Sequence, residues 1–222
     1  VVDIARAYFN AKVDEDKPVF VDLPREDEDR DNGLCGKLLA HMYGTQPAAK
    51  GWHTEFSTFM CGLGFVQSLA SACVFHHPQR QLYTSVYGDD FLTAGPAEEL
   101  DWFKSAMLEK YELTENARLG PAPEDGKVAK ILNRIVRWTD SGIEIEADPR
   151  QAEKLVRDLG LDGANAVNTP GVKLTKEQLE GDKELEHGKQ SPFRAVAARC
   201  NYLAADRPDL QFAAKEVCRW MA

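Results

Sequence analysis

Tyr87-Gly88-Asp89-Asp90 lies between two apolar, β-favouring runs, Leu82-Tyr83-Thr84-Ser85-Val86 and Phe91-Leu92-Thr93-Ala94. A Gly between such runs can take positive φ, so the stretch predicts a tight hairpin whose tip presents adjacent carboxylates. Asp-Asp stabilises a turn poorly, because like charges repel and an ordinary turn needs only one Asx. It suits divalent cations well, since hard Mg²⁺ takes oxygen ligands and tolerates a dense cluster of carboxylates. Alone, the tripeptide reads more simply as a solvated turn. A further carboxylate, Asp3, ends the apolar opening Val1-Val2, and an aromatic residue, Tyr8, follows five positions on.

The elements that must position these residues follow from periodicity. Pro18 to Leu23 predicts a strand, and Cys35 to Met42 a further extended segment. Trp52, Phe56, Phe59, Met60 and Leu63 recur at helical spacing from Pro47 onward, with Gly62 and Gly64 as the stop. After Val66 to Phe75 and the Asp-Asp hairpin, Pro96 opens a second helix that buries Leu100, Phe103 and Met107. Arg118 to Lys127 reads as a loop. Ile131 to Trp138 and Ile143 to Ala147 flank Thr139-Asp140-Ser141-Gly142 as a hairpin. Asp148-Pro149 caps a helix closed by Gly160, Asn165 to Gln190 reads as a polar linker, and Ser191-Pro192 and Pro208 open the last two helices.

Four ordered blocks resemble copia-type retrotransposon reverse transcriptases. Asp3 to Phe9 with Asn10 is similar to their D-x-x-x-A-F-L-N segment, and Tyr87 to Asp90 to their Y-x-D-D. Tyr43-Gly44 and Lys50-Gly51-Trp52 are similar to Y-G-x-K-Q-A-P-R-A-W. Phe193-Arg194-Ala195-Val196 and Tyr202-Leu203 through Arg207-Pro208-Asp209 are similar to Y-R-x-A-V-G-x-L-x-Y-L-x-x-x-R-P-D. The resemblance implies an α+β fold, a polymerase palm whose antiparallel sheet carries packed helices, followed by a helical thumb and connection segment. Its implied bounds are a palm-like catalytic region over 1–147, a thumb-like helix over 148–164, a linker over 165–190 and helical connection over 191–222.

The chemistry so implied is RNA-directed DNA synthesis, an in-line displacement at phosphorus assisted by two Mg²⁺ ions, with Mn²⁺ as a substitute. Asp3 and Asp89 are expected to bridge the ions, Asp90 to be a peripheral third carboxylate, and the Ile4 carbonyl an extra ligand. Tyr8 is expected beneath the deoxyribose, excluding a 2′-hydroxyl, with Tyr87 and Gly88 also on the nucleotide side. Tyr43, Gly44 and Lys50 are the template- or primer-side residues. That block departs from the pattern, with Gln46-Pro47-Ala48-Ala49-Lys50 where the family has Lys-Gln-Ala-Pro-Arg. Lys for Arg keeps the charge but loses the bidentate fork. Asn133 and Arg134 replace a Gly and an apolar residue of the family's F-L-G-I, so no primer contact is carried onto that hairpin. The bland alternatives are a cap residue for Asp3, a core aromatic for Tyr8, a turn Gly for Gly44 and a core residue for Trp52. Implied partners are an RNA template, a DNA primer, dNTPs, and the integrase and ribonuclease H regions of the same polyprotein.

The net charge of −9 opposes a phosphate-binding surface, although much of the acid is confined to Glu26 through Asp31. In the resembling family the basic fingers precede the point where this chain begins. The missing initiator Met and a start within a strand lead to the expectation of a piece of a longer protein. No apolar run approaches a membrane span of about 20 residues. Five cysteines without C-x-x-C spacing predict reduced core thiols in an intracellular protein, cytoplasmic, nuclear or within a virus-like particle. Rival readings are a palm-fold nucleotidyl cyclase, disfavoured by the spacing from Asp3 to Asp89, and an RNA-directed RNA polymerase, disfavoured by Tyr8. A decayed or domesticated transposon remnant is a third, which the survival of all three Asp and Tyr8 opposes.

Overall fold

Strict alternation along Leu82–Tyr87 makes a strand with one apolar face: Leu82, Thr84 and Val86 are buried, and Tyr83, Ser85 and Tyr87 are exposed. The computed structural model describes residues 1–172 and 174–221. Lys173, in the expected linker, and Ala222, at the end of the expected connection segment, lie outside the described residues. The chain packs as two compact units, Val1–Arg118 and Leu119–Ala222.

In the first unit, β1 (Val2–Ile4) leads into a 3₁₀ turn, Ala7–Asn10, and β2 (Phe20–Asp22) pairs with β3 (Cys35–Lys37) as a separate ribbon. Then come α1 (Ala48–Gly62), β4 (Val66–Gln67), β5 (Val74–His77), β6 (Leu82–Tyr87), β7 (Asp90–Ala94), α2 (Ala97–Leu108) and β8 (Leu113–Glu115). The strands form one antiparallel sheet in the order β4-β5-β6-β7-β1-β8. Its buried face (Ile4, Phe75, Leu82, Val86 and Phe91) joins Trp52, Phe56 and Met60 of α1 and Phe103 and Met107 of α2 in one core. The four-residue spacing of these helical residues places them on one side of each helix. Phe56 lies edge-on to Phe75 and Phe91, with ring centroids 5.9 and 5.7 Å away. Such edge-to-face pairs add to the burial of each ring.

In the second unit, β9 (Val128–Ile131), β10 (Arg134–Thr139) and β11 (Gly142–Glu146) form an antiparallel meander. It is followed by α3 (Pro149–Asp158), α4 (Lys176–Glu180), α5 (His187–Ala204) and α6 (Gln211–Cys218). Asp148 caps α3 as its residue type demands, accepting from the Arg150 backbone N–H at 3.1 Å. The meander therefore groups with the helices that follow it, and the unit boundary falls at Arg118, upstream of the expected boundary at 147.

Some expectations of local structure need correction. The strand read across Ile131 to Trp138 is broken by a two-residue turn in which Leu132 and Asn133 have φ of 47° and 66°. Asn tolerates that region, but nothing in the apolar pattern marks Leu132 for it. Pro192 lies inside α5, which starts at His187, so Ser191-Pro192 is no helix opening. The carbonyl that lacks a donor there belongs to exposed Gly188, where water can serve it. The linker contains α4, held by a capping box between Thr175 and Gln178. The cysteines are free, but Cys35, Cys61 and Cys73 are exposed, and Cys200 and Cys218 are only half-buried.

Phe56→Ala should lower unfolding free energy by about 3–5 kcal/mol, because a ring is removed from the centre of the aromatic core. Phe20→Ala, at a residue 57% exposed, should change it by less than about 0.5 kcal/mol. Urea unfolding of the two variants checks the contrast.

Candidate active site

The β6–β7 hairpin closes with Tyr87 opposite Asp90, leaving Gly88-Asp89 as a two-residue loop. Gly88 has a φ of 66°, the region that a loop this short demands. On the far side of β7, Asp3 of β1 is directly opposite Asp90. Directly opposed residues on antiparallel strands have Cα atoms about 4.5–5.5 Å apart and point to the same face. Ile4, one residue on, is fully buried, so Asp3 and Asp90 project from the face opposite the core. The Ile4 backbone N–H donates to the Asp89 carbonyl at 3.0 Å and ties the hairpin loop to β1. Trp52 Nε1 donates to the Gly88 carbonyl at 2.8 Å, fixing the loop from beneath.

Asp3 and Asp90 thus face each other at the strand ends with Asp89 in the adjoining loop, and the titration of Asp3 and Asp90 reflects it. Partial burial, and next the charge of Asp89, push the Asp3 carboxyl above the usual carboxylate range. Asp90 is pushed the same way by burial, then by Asp3 and Asp89, against a smaller pull from the terminal amine. The sequence reading pairs Asp3 with Asp89; the register puts Asp90 opposite Asp3, with Asp89 in the adjoining loop.

Tyr8 lies on the 3₁₀ turn, half-buried, with its ring packed against the core and against Tyr43, ring centroids 4.3 Å apart. Arg6 enters this turn with a left-handed φ of 53°, which redirects the chain straight after β1. Phe9 meets Tyr43 edge-on at 5.9 Å. Burial and then the Asp89 charge push the Tyr43 phenol up, opposed by the backbone amides of Tyr8 and Ala7. Tyr43, placed on the template side from sequence, is therefore joined to Tyr8 and lies within the field of Asp89. Gly44 follows with a φ of 85° and open space around it, and Lys50 is exposed on the first turn of α1. Tyr87 is exposed on the carboxylate face, while Trp52 is core.

Sequence reasoning missed two features: the Trp52 bond to the hairpin, and His41, a buried ring packed on Gly51. An apolar helical face hides the first, since an indole N–H gives no periodic signal. A Gly where the resembling pattern has Ala was the available signal for the second.

Among the described residues, no three His, Cys, Asp or Glu side chains form a group that could by itself hold a metal ion. Mg²⁺ does not require one, because it is commonly held by one or two carboxylates, with substrate phosphates and water completing the shell. An oxygen-only set of crowded, repelling carboxylates fits such a hard cation and does not fit a soft one. No described helix is long and apolar enough to cross a membrane.

Residues 1–173 match the family described as reverse transcriptase (RNA-dependent DNA polymerase). Two Arabidopsis thaliana proteins are similar to the chain. The Retrovirus-related Pol polyprotein from transposon RE2 is 25% identical over 197 residues, covering 88% of this chain and 13% of that polyprotein. The corresponding polyprotein from transposon RE1 is 23% identical over 224 residues, covering 99% of this chain and 14% of its own length. The chain thus spans about one-seventh of the curated relatives it matches. With antiparallel sheet, packed helices and a match over most of its length, the chain has an α+β palm-type fold and belongs to the reverse transcriptase (RNA-dependent DNA polymerase) family of copia-type elements.

Proposed function

We propose that this chain is the catalytic palm region of an RNA-directed DNA polymerase that adds deoxynucleotides to a primer 3′-hydroxyl on an RNA template. The observation that carries the reading is Asp3 opposite Asp90, with Asp89 beside them, on the face of the sheet away from the core. Repelling carboxylates cost stability there and offer the fold nothing in return, so their use lies in a ligand. Two divalent cations bound by these residues would lower the pKa of the attacking hydroxyl and neutralise charge on the triphosphate and departing pyrophosphate. Asp3 and Asp89 would hold both cations, with Asp90 as the third carboxylate. In a strand the N–H and C=O of one residue face the same neighbour. The Ile4 carbonyl is therefore directed to the hairpin side, as a supplementary oxygen.

Tyr8 and Tyr43 form the wall beside the carboxylates. The Tyr8 ring lies beneath the incoming sugar and leaves no room for a 2′-hydroxyl. Tyr87 and Gly88, on the exposed hairpin, meet the nucleotide, while Gly44 and Lys50 face the template or primer. The proposal includes a wider polyprotein, with integrase and ribonuclease H regions acting on the same nucleic acid inside the cell; the similarity to two Pol polyproteins supports the polyprotein context.

Asp89→Asn removes a charge shared between the cations and should reduce primer extension to background, with the fold retained by circular dichroism. The assay uses the full-length protein that carries this chain, with Mg²⁺, dNTPs and a primed RNA template. Normal extension by that variant would sink the assignment.

Asp3→Asn should raise the thermal stability of the metal-free protein, because it relieves the repulsion at Asp90. The sign follows from linkage: folded Asp3 and Asp90 hold protons more tightly than the unfolded chain, whose carboxylates titrate near 3.8. In the window from that value up to the raised pKa, their contribution to stability falls as pH rises. Thermal melts across the window, with chelator present, should show this slope shrink in the Asn variant.

Tyr8→Val should raise ribonucleotide incorporation relative to dNTP incorporation, read as the ratio of the two specificity constants. An unmoved ratio would return Tyr8 to a core role and favour an RNA-making polymerase.

A further inference from the structure

Gly51 precedes Trp52 on α1, where the resembling motif carries Ala. A Cβ built on Gly51 would fall 2.1 Å from both Cδ2 and Nε2 of His41 and 2.9 Å from Cε1. The imidazole therefore occupies the space of the missing side chain. His41 is only 6% exposed, and its buried Nδ1 has no hydrogen-bond partner. Burying an unpaired polar atom is unfavourable, and an aliphatic side chain would fill the same space without that cost. Packing alone is thus a weak reason for a His here.

What the ring touches joins both halves of the site. The His41 backbone N–H donates to the Ala11 carbonyl at 2.8 Å, and the Ala11 N–H donates to the Tyr8 carbonyl at 3.2 Å. Two residues after His41, Tyr43 packs on Tyr8. The segment from His41 to Tyr43 is therefore fastened at both ends to the turn that carries Tyr8. On the other side of the contact, Gly51 adjoins Trp52, whose indole holds the carboxylate hairpin through the Gly88 carbonyl. The contact between ring and glycine keys the segment bearing Tyr43 into the helix bearing Trp52.

We propose that His41 is a positioning residue: its ring, seated in the notch at Gly51, sets where Tyr43 meets Tyr8 and so sets the width of the sugar-side wall relative to the carboxylates. The proposal rests on the reading of Tyr8 as that wall. A methyl group at residue 51 has to displace the ring. Because the ring is enclosed, the displacement passes into the backbone of His41 to Tyr43. Removing the ring opens the notch and frees the same segment. Restoring the methyl while removing the ring refills the space from the helix side.

The test compares the full-length protein with Gly51→Ala, His41→Ala and the double variant, each carrying 3-fluorotyrosine at residue 43. The ¹⁹F resonance reports the packing of Tyr43 on Tyr8 without any need for activity. Gly51→Ala and His41→Ala should each shift that resonance. Each should also lower the ratio of dNTP to ribonucleotide specificity constants on the order of tenfold, less than the roughly 10²-fold that a misplacement of about 1 Å can cost. The double variant should recover both readouts toward the parent. A fall in Tm with resonance and ratio unmoved would overturn the proposal, as would a double variant no better than Gly51→Ala. If Gly51→Ala does not fold, His41→Ala alone decides by the same two readouts. A parent protein that accepts ribonucleotides freely would refute the wall reading of Tyr8; the resonance would still decide whether His41 seats Tyr43.

Discussion

Like charges crowded at the ends of neighbouring strands push those strands apart, and in this sheet Asp3 faces Asp90 with Asp89 in the adjoining loop. Something must oppose that repulsion wherever the carboxylates are not neutralised. The opposing forces come from below and beside. Ile4, Phe91 and Val86 bury the reverse face of the same strands against Trp52 and Phe56. The Ile4 N–H and the Trp52 indole each hold a carbonyl of the loop itself. Each ring buried there contributes of the order of 2 kcal/mol, more than the screened repulsion of partly exposed carboxylates. The core wins, and the charges are held where unrestrained strands would part.

The same arrangement separates what supports from what reacts. Alternation along β1 sends Ile4 into the core and Asp3 out of it; alternation along β7 does the same for Phe91 and Asp90. One slip of register would bury the carboxylates and expose the aromatic core, so the apolar face that stabilises the sheet also enforces the geometry of the site. The left-handed Arg6 then turns the chain so that Tyr8 follows only one short turn after Asp3.

Much of this was legible in the residues because it is written in short periods. The period-two pattern of Leu82 to Tyr87, the Gly of the hairpin and the four-residue spacing of Trp52, Phe56 and Met60 each specify their own local structure. Asp89-Asp90 pointed to the proposed cation-binding role because a turn alone gains nothing from adjacent carboxylates. What escaped depends on contacts distant in sequence or on backbone that the residue type resists. Leu132 takes a left-handed φ although nothing in its type favours that region. Pro192 remains inside a helix because the carbonyl it leaves unserved faces water. That Asp90 stands directly opposite Asp3 is a matter of register that no periodicity could decide. Tyr43, read as template-side through the resemblance, and Tyr8 are remote in sequence, and their rings meet only through the fold.

The net charge of −9, an obstacle when read as an average, changes meaning once the charges are placed. In the first unit Arg6, Arg80, Lys104 and Lys110 are each engaged by a carboxylate, Glu112, Glu99, Glu115 and Glu55 respectively. Exposed pairs of this kind add little stability, but they lower the positive field available to phosphate. A surface so balanced attracts phosphate weakly by itself. A trio of carboxylates, by contrast, attracts divalent cations, and a bound cation reverses the local sign and presents positive charge where a triphosphate would lie. In the proposed function the acidic character of the site is therefore the means of binding an anionic substrate: the protein supplies oxygen ligands, and the cations supply the charge that its paired basic side chains do not.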